Sequence, residues 1–318
     1  MFSNQPLILA PMAGITDSPF RQLTKQFGAD LVVTEMISAK GLLQGDRKTA
    51  TLLNFCPQEQ PLIAQLFGRD PEILRAAAQQ AIDQGATYVD INMGCPVKKV
   101  IKTGAGAALL QDLQQVKKIL AALSRPPAIP YTIKIRSGWD QQTLIADKVI
   151  DLAATFAALA VFCHPRTAAM MFSGMADWDY LEAIAGKAPL PVIGSGDIIT
   201  VEAARKALAR QGINGLMLGR GTLGRPWFFQ EIRDFLISGS VTTIPWAKKL
   251  ETIRQHGLLL RQEKGEKTGF LLFRKHLAWY SRGLPGAAAF RRQLFTTTDQ
   301  KELDPLLQIF FSDHHYQR

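Results

Sequence analysis

Short apolar runs alternate with longer amphipathic stretches along the first 240 residues. Eight runs have the length of buried strands, at 7–10, 31–34, 62–66, 88–91, 131–135, 160–163, 191–193 and 216–218. Between many of them, cap residues and apolar spacing predict helices, for example at 70–84, 112–123, 200–210 and 227–236. Eight β-then-α units predict an α/β protein whose parallel strands close into a (β/α)8 TIM barrel. An open doubly wound sheet is the alternative, but residues 11–14 lack the glycine-rich fingerprint expected at its first turn.

The pattern changes after the Ser-Gly-Ser stretch at 238–240. From there only helical periodicity is present, at 246–263, 268–282, 286–296 and 299–311. We therefore expect two domains, a barrel over 1–240 and a small helical domain over 241–318.

The charge of the chain is uneven. The 318 residues carry a formal net charge of +10. Residues 241–318 hold 13 Lys+Arg against 7 Asp+Glu, a net of +6, whereas residues 1–240 hold 24 against 20, a net of +4. Such an excess is typical of proteins with a polyanionic partner, although many basic proteins bind no nucleic acid. The aromatic residues among these charges are equally typical of the core of an amphipathic bundle.

Cysteine content and hydropathy narrow the protein class. Cys56, Cys95 and Cys163 are too few and too scattered for a disulfide framework or a zinc site. The N-terminus lacks the pattern of a signal peptide, and no apolar run approaches the roughly 18 residues that span a bilayer. We expect a cytoplasmic protein that needs neither a membrane nor a metal.

Chemically capable residues follow the predicted strands. In a barrel, the carboxyl ends of the strands converge on one face, which carries the active site. The glycine-rich loops after the seventh and eighth runs, around Gly196 and Gly219, favour a phosphate site, although such loops also serve as simple tight turns. A lysine inside a barrel, such as Lys134, needs an anionic partner or loses its charge, and a flavin that gains negative charge on reduction is one such partner. The rival use of the amine is a Schiff base, and a solvated lysine at the strand end is the third alternative.

Cys95 lies in the stretch Asp-Ile-Asn-Met-Gly-Cys-Pro at 90–96, directly after a predicted strand. Its thiolate would be a nucleophile, and its protonated thiol would be a general acid. The residues alone leave both roles open. Lys98 and Lys99, which follow closely, would either lower the thiol pKa or contact a phosphate backbone.

The chain resembles the tRNA-dihydrouridine synthases. The shared stretches are residues 10–14 (Ala-Pro-Met-Ala-Gly), 65–68, 90–96, 134–139, 196–198, 219–221 and 225–227, with further likeness at 274–276 and 290–292. The wording Asn-Met-Gly-Cys-Pro at 92–96, followed by two lysines, is most similar to the bacterial B-type subfamily. Two departures concern the usual Asn-Gly-Asp and His-Gly-Arg-Thr stretches, where this chain has Ser195 and Pro165.

This resemblance implies an FMN-bearing barrel and a helical tRNA-binding domain. We expect a monomer, because the tRNA has to cover much of the protein surface. NADPH would reduce the flavin, a hydride would pass to C6 of a D-loop uridine, and Cys95 would protonate C5. The implied FMN contacts are Pro11, Met12, Ala13, Gln65, Lys134, His164, Ser195, Gly196, Asp197, Gly219 and Arg220. The implied tRNA contacts are Asn92 and Arg136 at the target nucleotide, and Lys98, Lys99, Arg274, Lys275, Arg291 and Arg292 elsewhere. Two rival functions are a flavin barrel acting on a small molecule, such as a dihydroorotate dehydrogenase, and a non-catalytic RNA-binding protein.

Overall fold

The computed structural model describes residue 2 and residues 4–311. In that part of the chain the strands are β1 (Leu7–Leu9), β2 (Leu31–Val33), β3 (Ile37–Ser38), β4 (Leu62–Phe67), β5 (Tyr88–Met93), β6 (Tyr131–Arg136), β7 (Val161–His164), β8 (Val192–Ser195) and β9 (Ile213–Leu218). Each of the eight predicted runs overlaps one of these strands. The two-residue strand β3 was not predicted, because so short an element leaves no periodic pattern.

Eight of these strands close into a parallel barrel. Neighbouring strands follow the order β1, β2, β4, β5, β6, β7, β8 and β9, and β9 pairs with β1 again. The short strand β3 pairs in parallel with the carboxyl-terminal end of β4. The TIM barrel predicted from the β/α alternation is therefore confirmed.

Helices connect most of the strands. They are α1 (Ser18–Gln26), α2 (Ala39–Leu43), α3 (Arg47–Thr51), α4 (Pro71–Asp83), α5 (Lys98–Ile101), α6 (Leu113–Ser124), α7 (Ala146–Thr155), α8 (Trp178–Ala185) and α9 (Val201–Leu208). Short 3-10 turns lie at Pro57–Glu59, Gly106–Gln111 and Arg220–Thr222.

Helix α4 illustrates why these segments are helical. The Asp70 carboxylate caps the first turn by accepting from the N–H groups of Glu72 and Ile73, and Pro71 occupies the first helical position. The buried face consists of Leu74, Ala77, Ala78 and Ala81, a spacing that follows the 3.6-residue period.

The barrel interior changes character along its axis. Its amino-terminal end is apolar and contains Ile8, Ile63, Phe162 and Ile193, with the Phe2 ring 6.0 Å from that of Phe162. Towards the carboxyl end, alternate positions of β4, β5 and β6 become polar. Because alternate residues of a strand point to the same face, these polar side chains lie together inside the carboxyl end of the barrel.

The chain divides into two compact units, Met1–Gly221 and Thr222–Arg318. Helix α10 (Phe228–Ser238) therefore groups with the second unit, although the expected domain boundary lay at residue 240. The other helices of that unit are α11 (Trp246–Lys264), α12 (Glu266–Tyr280), α13 (Ala287–Thr296) and α14 (Gln300–Phe310), close to the four predicted segments.

Aromatic side chains form much of the core of the helical unit. The rings of Phe290 and Phe310 stack at 3.9 Å. Gly257 of α11 lies against the Phe273 ring of α12, where an added Cβ would come within 2.6 Å of a ring carbon. In the described part of the chain, no helix is long and apolar enough to cross a membrane.

Candidate active site

A cleft lies at the carboxyl ends of the barrel strands. Nine of the eleven residues predicted to bind the cofactor line it: Pro11, Met12, Lys134, His164, Ser195, Gly196, Asp197, Gly219 and Arg220. The other two lie outside the lining, Ala13 exposed in the first loop and Gln65 fully buried in β4. Six further residues line the cleft and were not among the predicted contacts: Ala10, Phe172, Ile198, Ile199, Met217 and Gly221.

One wall of the cleft is built around Arg166, a buried arginine after β7 that was not among the predicted cofactor contacts. Arg166 Nη2 donates to both carboxylate oxygens of Asp197, at 2.8 and 2.7 Å, and Arg220 Nη2 donates to the same carboxylate at 3.2 Å. Burial raises the pKa of Asp197, but the N–H of Ala176 and the two guanidinium groups outweigh it, so the net pKa is below its usual value. Asp197 is therefore an anionic anchor for two loops.

The imidazole of His164 is neutral and has a defined tautomer. Burial and the positive charges of Lys134, Arg136, Arg166 and Arg220 lower the pKa of His164 to about 2. Arg166 Nη1 lies 3.1 Å from His164 Nε2. Because a guanidinium can only donate, Nε2 is the acceptor and the ring proton resides on Nδ1. His164 thus offers one N–H donor.

Gly196 fits tightly against this histidine. Its φ of +119° lies in a region that other residues avoid, and an added Cβ would lie 2.8 Å from His164 Cδ2. The loop after β8 can therefore approach the histidine this closely only with glycine at that position.

Lys134 brings a positive charge to the floor of the cleft. It is half-buried near the end of β6. Burial and the Arg136 charge lower its pKa, while the negative charge of Asp90 acts in the opposite direction. An anionic group bound above it would favour the ammonium form.

A polar layer lies across β4, β5 and β6. The register pairs Gln65 with Asp90 and Asp90 with Thr132. Gln65 Nε2 donates to Asp90 Oδ2 at 2.7 Å, and Thr132 Oγ1 donates to Asp90 Oδ1 at 2.8 Å. Burial raises the pKa of Asp90 to about 6, against the effects of these two hydrogen bonds and of Lys134. The sequence signal for Asp90 was its position two residues before Asn92, on the same face of the strand.

The backbone around Cys95 is held at several points. Asn92 Oδ1 accepts from the N–H groups of Gly94 and Cys95, at 3.2 and 2.9 Å. Arg136 Nε donates to the Gly94 carbonyl at 3.0 Å, and the Cys95 carbonyl accepts from Ala107 N–H at 3.0 Å. Burial raises the pKa of the Cys95 thiol, against the charges of Arg136 and Lys134. The protonated thiol is therefore the dominant form at neutral pH.

Arg136 lies beside Phe172, a residue of the cleft lining. Arg136 is buried and donates through Nε and Nη1 to the carbonyls of Gly94 and Thr167. Phe172, 57% exposed, lies with its ring centroid 5.6 Å from the Arg136 guanidinium carbon and 5.8 Å from that of Arg220. Nothing in the sequence around Phe172 distinguished this residue.

The predicted tRNA contacts differ in their exposure and in the contacts that they make within the protein. Lys98 and Lys99 are exposed on α5, and Arg292 is exposed on α13. Lys275 lies 5.3 Å from the Trp279 ring centroid, and Arg291 Nη1 lies 3.4 Å from Ser281 Oγ. Arg274 is half-buried, and its Nη1 donates to the Thr297 carbonyl at 2.7 Å just after α13. Its position therefore indicates a structural contact as well.

The chain is similar to known proteins over most of its length. A family model described as dihydrouridine synthase (Dus) matches residues 8–315. The chain belongs to the dihydrouridine synthase family. It is 39% identical over 308 residues to a protein named tRNA-dihydrouridine synthase B from Pseudomonas aeruginosa, covering 96% of this chain and 93% of that one. A protein of the same name from Vibrio cholerae is also 39% identical, over 96% of this chain and 95% of its own length. These relatives support the resemblance to the B-type subfamily.

Solved structures support the barrel architecture of this dihydrouridine synthase family member. A variant of NCR from Zymomonas mobilis matches with a TM-score of 0.50 at 13% identity, over 76% of this chain and 90% of that one. Histamine dehydrogenase from Rhizobium sp. 4-9 matches with a TM-score of 0.51 at 11% identity, over 74% and 47%. At such low identity the similarity shows a shared fold.

Within the described ranges, no group of three or more His, Cys, Asp or Glu side chains is arranged to hold a metal ion.

Proposed function

We propose that this chain is an FMN-dependent oxidoreductase that reduces D-loop uridine in tRNA to 5,6-dihydrouridine, with NADPH as the reductant. Membership of the family and the names of its relatives support this substrate class. The observation that carries the proposal is the environment of Cys95. Its thiol is kept protonated by burial, and it lies within electrostatic range of Lys134 on the floor of the cleft.

The cleft has the features that an FMN would require. FMN, when bound, supplies a hydride acceptor for NADPH and a hydride donor for C6 of the uracil. Ser195 ends β8, and Gly196 and Asp197 follow it. Gly219 and Arg220 follow β9, and loops at these two strands commonly bind phosphate in barrel proteins. Gly196 allows its loop to approach the adjacent His164, which a side chain would prevent. Lys134 and Arg220 supply positive charge for the phosphate and for a ring that gains negative charge.

Neutral His164 would act as a hydrogen-bond donor. Since Arg166 occupies its Nε2, only Nδ1–H remains available. We assign this N–H to a carbonyl oxygen of the flavin ring. Pro11 and Met12 would supply an apolar wall to the flavin ring, since both line the cleft.

Cys95 would act as the general acid that protonates C5. A covalent nucleophile would need its thiolate, and burial disfavours that form. A general acid needs the thiol proton, and the Asn92, Arg136 and Ala107 hydrogen bonds hold the surrounding backbone in place for its delivery. This assignment agrees with the role implied by the resemblance, whereas the residues alone left both roles open. Arg136 would also contribute to holding the target nucleotide, whereas the Asn92 side chain is used by groups of the protein.

The basic surface would bind the tRNA backbone. Lys98 and Lys99 are exposed three and four residues beyond Cys95, where they would contact phosphates flanking the target uridine. The last 78 residues carry +6 of the +10 net charge. Lys275, Arg291 and Arg292 would contact further phosphates from the helical unit of a monomer. The target base has to leave its stack to reach the cleft.

The decisive test follows dihydrouridine directly. Purified protein is incubated with NADPH and an unmodified tRNA transcript, and nucleosides and D-loop fragments are then analysed by mass spectrometry for uridines that have gained two hydrogens. Wild type should copurify with FMN and modify the D-loop. Cys95→Ala should keep FMN and tRNA affinity while its single-turnover rate falls by about 100-fold or more, as expected for loss of a general acid.

Cys56→Ala is the matched control, because Cys56 lies before β4 and outside the cleft lining. It should reduce tRNA like wild type. A protein that binds no flavin, or a Cys95→Ala variant with full activity, would contradict the proposal. Turnover of a small pyrimidine without any activity on tRNA would favour the small-molecule alternative.

A further inference from the structure

We infer that Asp90 is a positioning residue for the thiol loop, defined as Gly94-Cys95-Pro96. Its carboxylate acts through the side-chain amides of Gln65 and Asn92 rather than by touching a ligand. The inference rests on the proposed role of Cys95 and identifies the interior group that orients its loop.

A continuous chain of hydrogen bonds joins the Asp90 carboxylate to the backbone N–H of Cys95. Asp90 Oδ2 accepts from Gln65 Nε2 at 2.7 Å, and Gln65 Oε1 accepts from Asn92 Nδ2 at 2.9 Å. Asn92 Oδ1 in turn accepts from Cys95 N–H at 2.9 Å. Gln65 and Asp90 are fully buried and Asn92 is nearly so, which shields the chain from competing water.

The direction of this chain follows from Asp90. An ionised carboxylate can only accept, so Gln65 must present its amide nitrogen to Asp90 and its oxygen to Asn92. Asn92 then turns its nitrogen to Gln65 and its oxygen to the thiol loop. If both amides were reversed, Asn92 Nδ2 would face two N–H donors, and the loop would lose its acceptor.

The remaining contacts of Asn92 fit this direction. Its nitrogen also lies 3.1 Å from Met36 Sδ, a weak acceptor, and its oxygen also accepts from Gly94 N–H at 3.2 Å. The amide is therefore used at both ends by groups of the protein. Reversal would also oppose the Asn92 oxygen to the Met36 sulfur, without any donor between them.

A buried carboxylate is an expensive way to stabilise a core. Replacing buried ionic groups by well-packed apolar residues is often neutral or stabilising. The alternative is that Asp90 only crosslinks three strands. Thr132 provides the comparison, because it is as buried as Gln65 and binds the other oxygen of Asp90 at 2.8 Å, but it lies off the path to Asn92.

The test compares Asp90→Leu with Thr132→Val in the full-length protein. The first readout is the rate of iodoacetamide alkylation at each cysteine, measured by peptide mass spectrometry without tRNA. Cys163 is buried on β7 and Cys56 is half-buried outside the cleft, so both report general loosening of the fold. The second readout is kcat and KM for tRNA reduction.

For Asp90→Leu we expect Cys95 alkylation to rise by about tenfold and kcat to fall by about 10- to 100-fold, the cost of misplacing a reacting group by roughly 1 Å. KM for tRNA and alkylation of Cys56 and Cys163 should stay within about twofold, since the scaffold and RNA surface are unchanged. Thr132→Val should leave Cys95 alkylation and kcat within about threefold of wild type, as expected for one lost neutral hydrogen bond.

Asp90→Asn tests rescue by a similar side chain. Its amide can turn its nitrogen to Thr132 Oγ1 and keep its oxygen for Gln65, so it should recover most of the kcat lost in Asp90→Leu. If Asp90→Leu does not fold, Gln65→Met interrupts the same chain of hydrogen bonds between Asp90 and Asn92. It should raise Cys95 alkylation by a similar factor.

Equal effects of Asp90→Leu and Thr132→Val on Cys95 would overturn the inference, as would parallel increases at all three cysteines. The alkylation comparison needs neither flavin nor tRNA. A wild-type protein without tRNA reduction would therefore refute the proposed function and leave the positioning role separately measurable.

Discussion

Arg166 and Asp197 form a bifurcated ion pair that joins the loops after β7 and β8. One guanidinium nitrogen donates to both carboxylate oxygens, at 2.8 and 2.7 Å, and the arginine side chain is only 2% exposed. The same arginine also donates to the carbonyls of Ser173 and Gly174 and to His164. The pair therefore joins the long loop after β7 to the wall of the cleft.

Asp197→Asn should destabilise the protein by about 2 kcal/mol, because it leaves a buried guanidinium without its counter-charge, although the partial exposure of Asp197 moderates the cost. The matched control is Asp112→Asn, which breaks an exposed ion pair with Arg69 and should cost at most about 0.5 kcal/mol. Urea unfolding at neutral pH measures both. Equal losses in the two variants would show that burial of the Arg166 pair has no special weight.

Asp90 should make stability depend on pH. Its pKa in the folded protein is about 6, above the ordinary value of 3.8, so folding favours the protonated form. Its stabilising contribution is complete below the unfolded pKa and is lost as pH rises through 6. Relative to Asp90→Asn, wild type should lose roughly 2 to 3 kcal/mol of unfolding free energy between about pH 4 and pH 7.

Urea unfolding across that pH range checks this expectation, and Thr132→Val serves as a second probe. Because the Thr132 hydroxyl lowers the pKa of Asp90, its removal should extend the pH-dependent window upward. A difference between wild type and Asp90→Asn that stays constant with pH would contradict the assignment.

Phe172→Ala should weaken productive tRNA binding with little effect on folding. The exposed ring lines the cleft beside Arg136 and Arg220, a suitable surface for an unstacked base. We expect KM for tRNA to rise by about 10-fold, the lower part of the range for a lost aromatic–base contact. Met175→Ala is the control, since Met175 belongs to the same loop and is 81% exposed but lies outside the cleft lining. Similar KM values for the two variants would refute a base contact.

Arg292 and Arg274 should act in different ways although both are basic residues of the helical unit. Arg292→Gln, which removes an exposed charge, should reduce the slope of log affinity against log salt by about 0.7 to 0.9. Arg274→Gln should instead lower stability by about 1 to 2 kcal/mol, because Arg274 binds the Thr297 carbonyl after α13. Filter binding of tRNA across a salt series and thermal unfolding separate the two. A salt slope altered only in Arg274→Gln would reverse their roles.

The strands and most of the cleft could be predicted from the chain alone. Alternating apolar runs and helical patterns predicted the barrel, because buried strands and amphipathic helices each leave a periodic trace. Once the barrel was expected, residues such as Lys134 and Gly196 could be assigned to one face, because all eight strands end there. Cys95 was identified by its position after β5 and by the resemblance of its motif.

The partners of these residues depended on the tertiary structure. Arg166 and Asp197 are separated by 31 positions, and the Gln65 and Asp90 side chains meet only because β4 and β5 pair in one register. Periodicity reports which face a side chain occupies, but hydrogen-bond direction depends on which donors and acceptors meet across strands. The sequence by itself therefore determined the barrel and the location of its chemistry. The tertiary structure decided that Asp197 anchors an arginine of another loop, and the register of β4 and β5 decided that Asp90 orients the amides leading to Cys95.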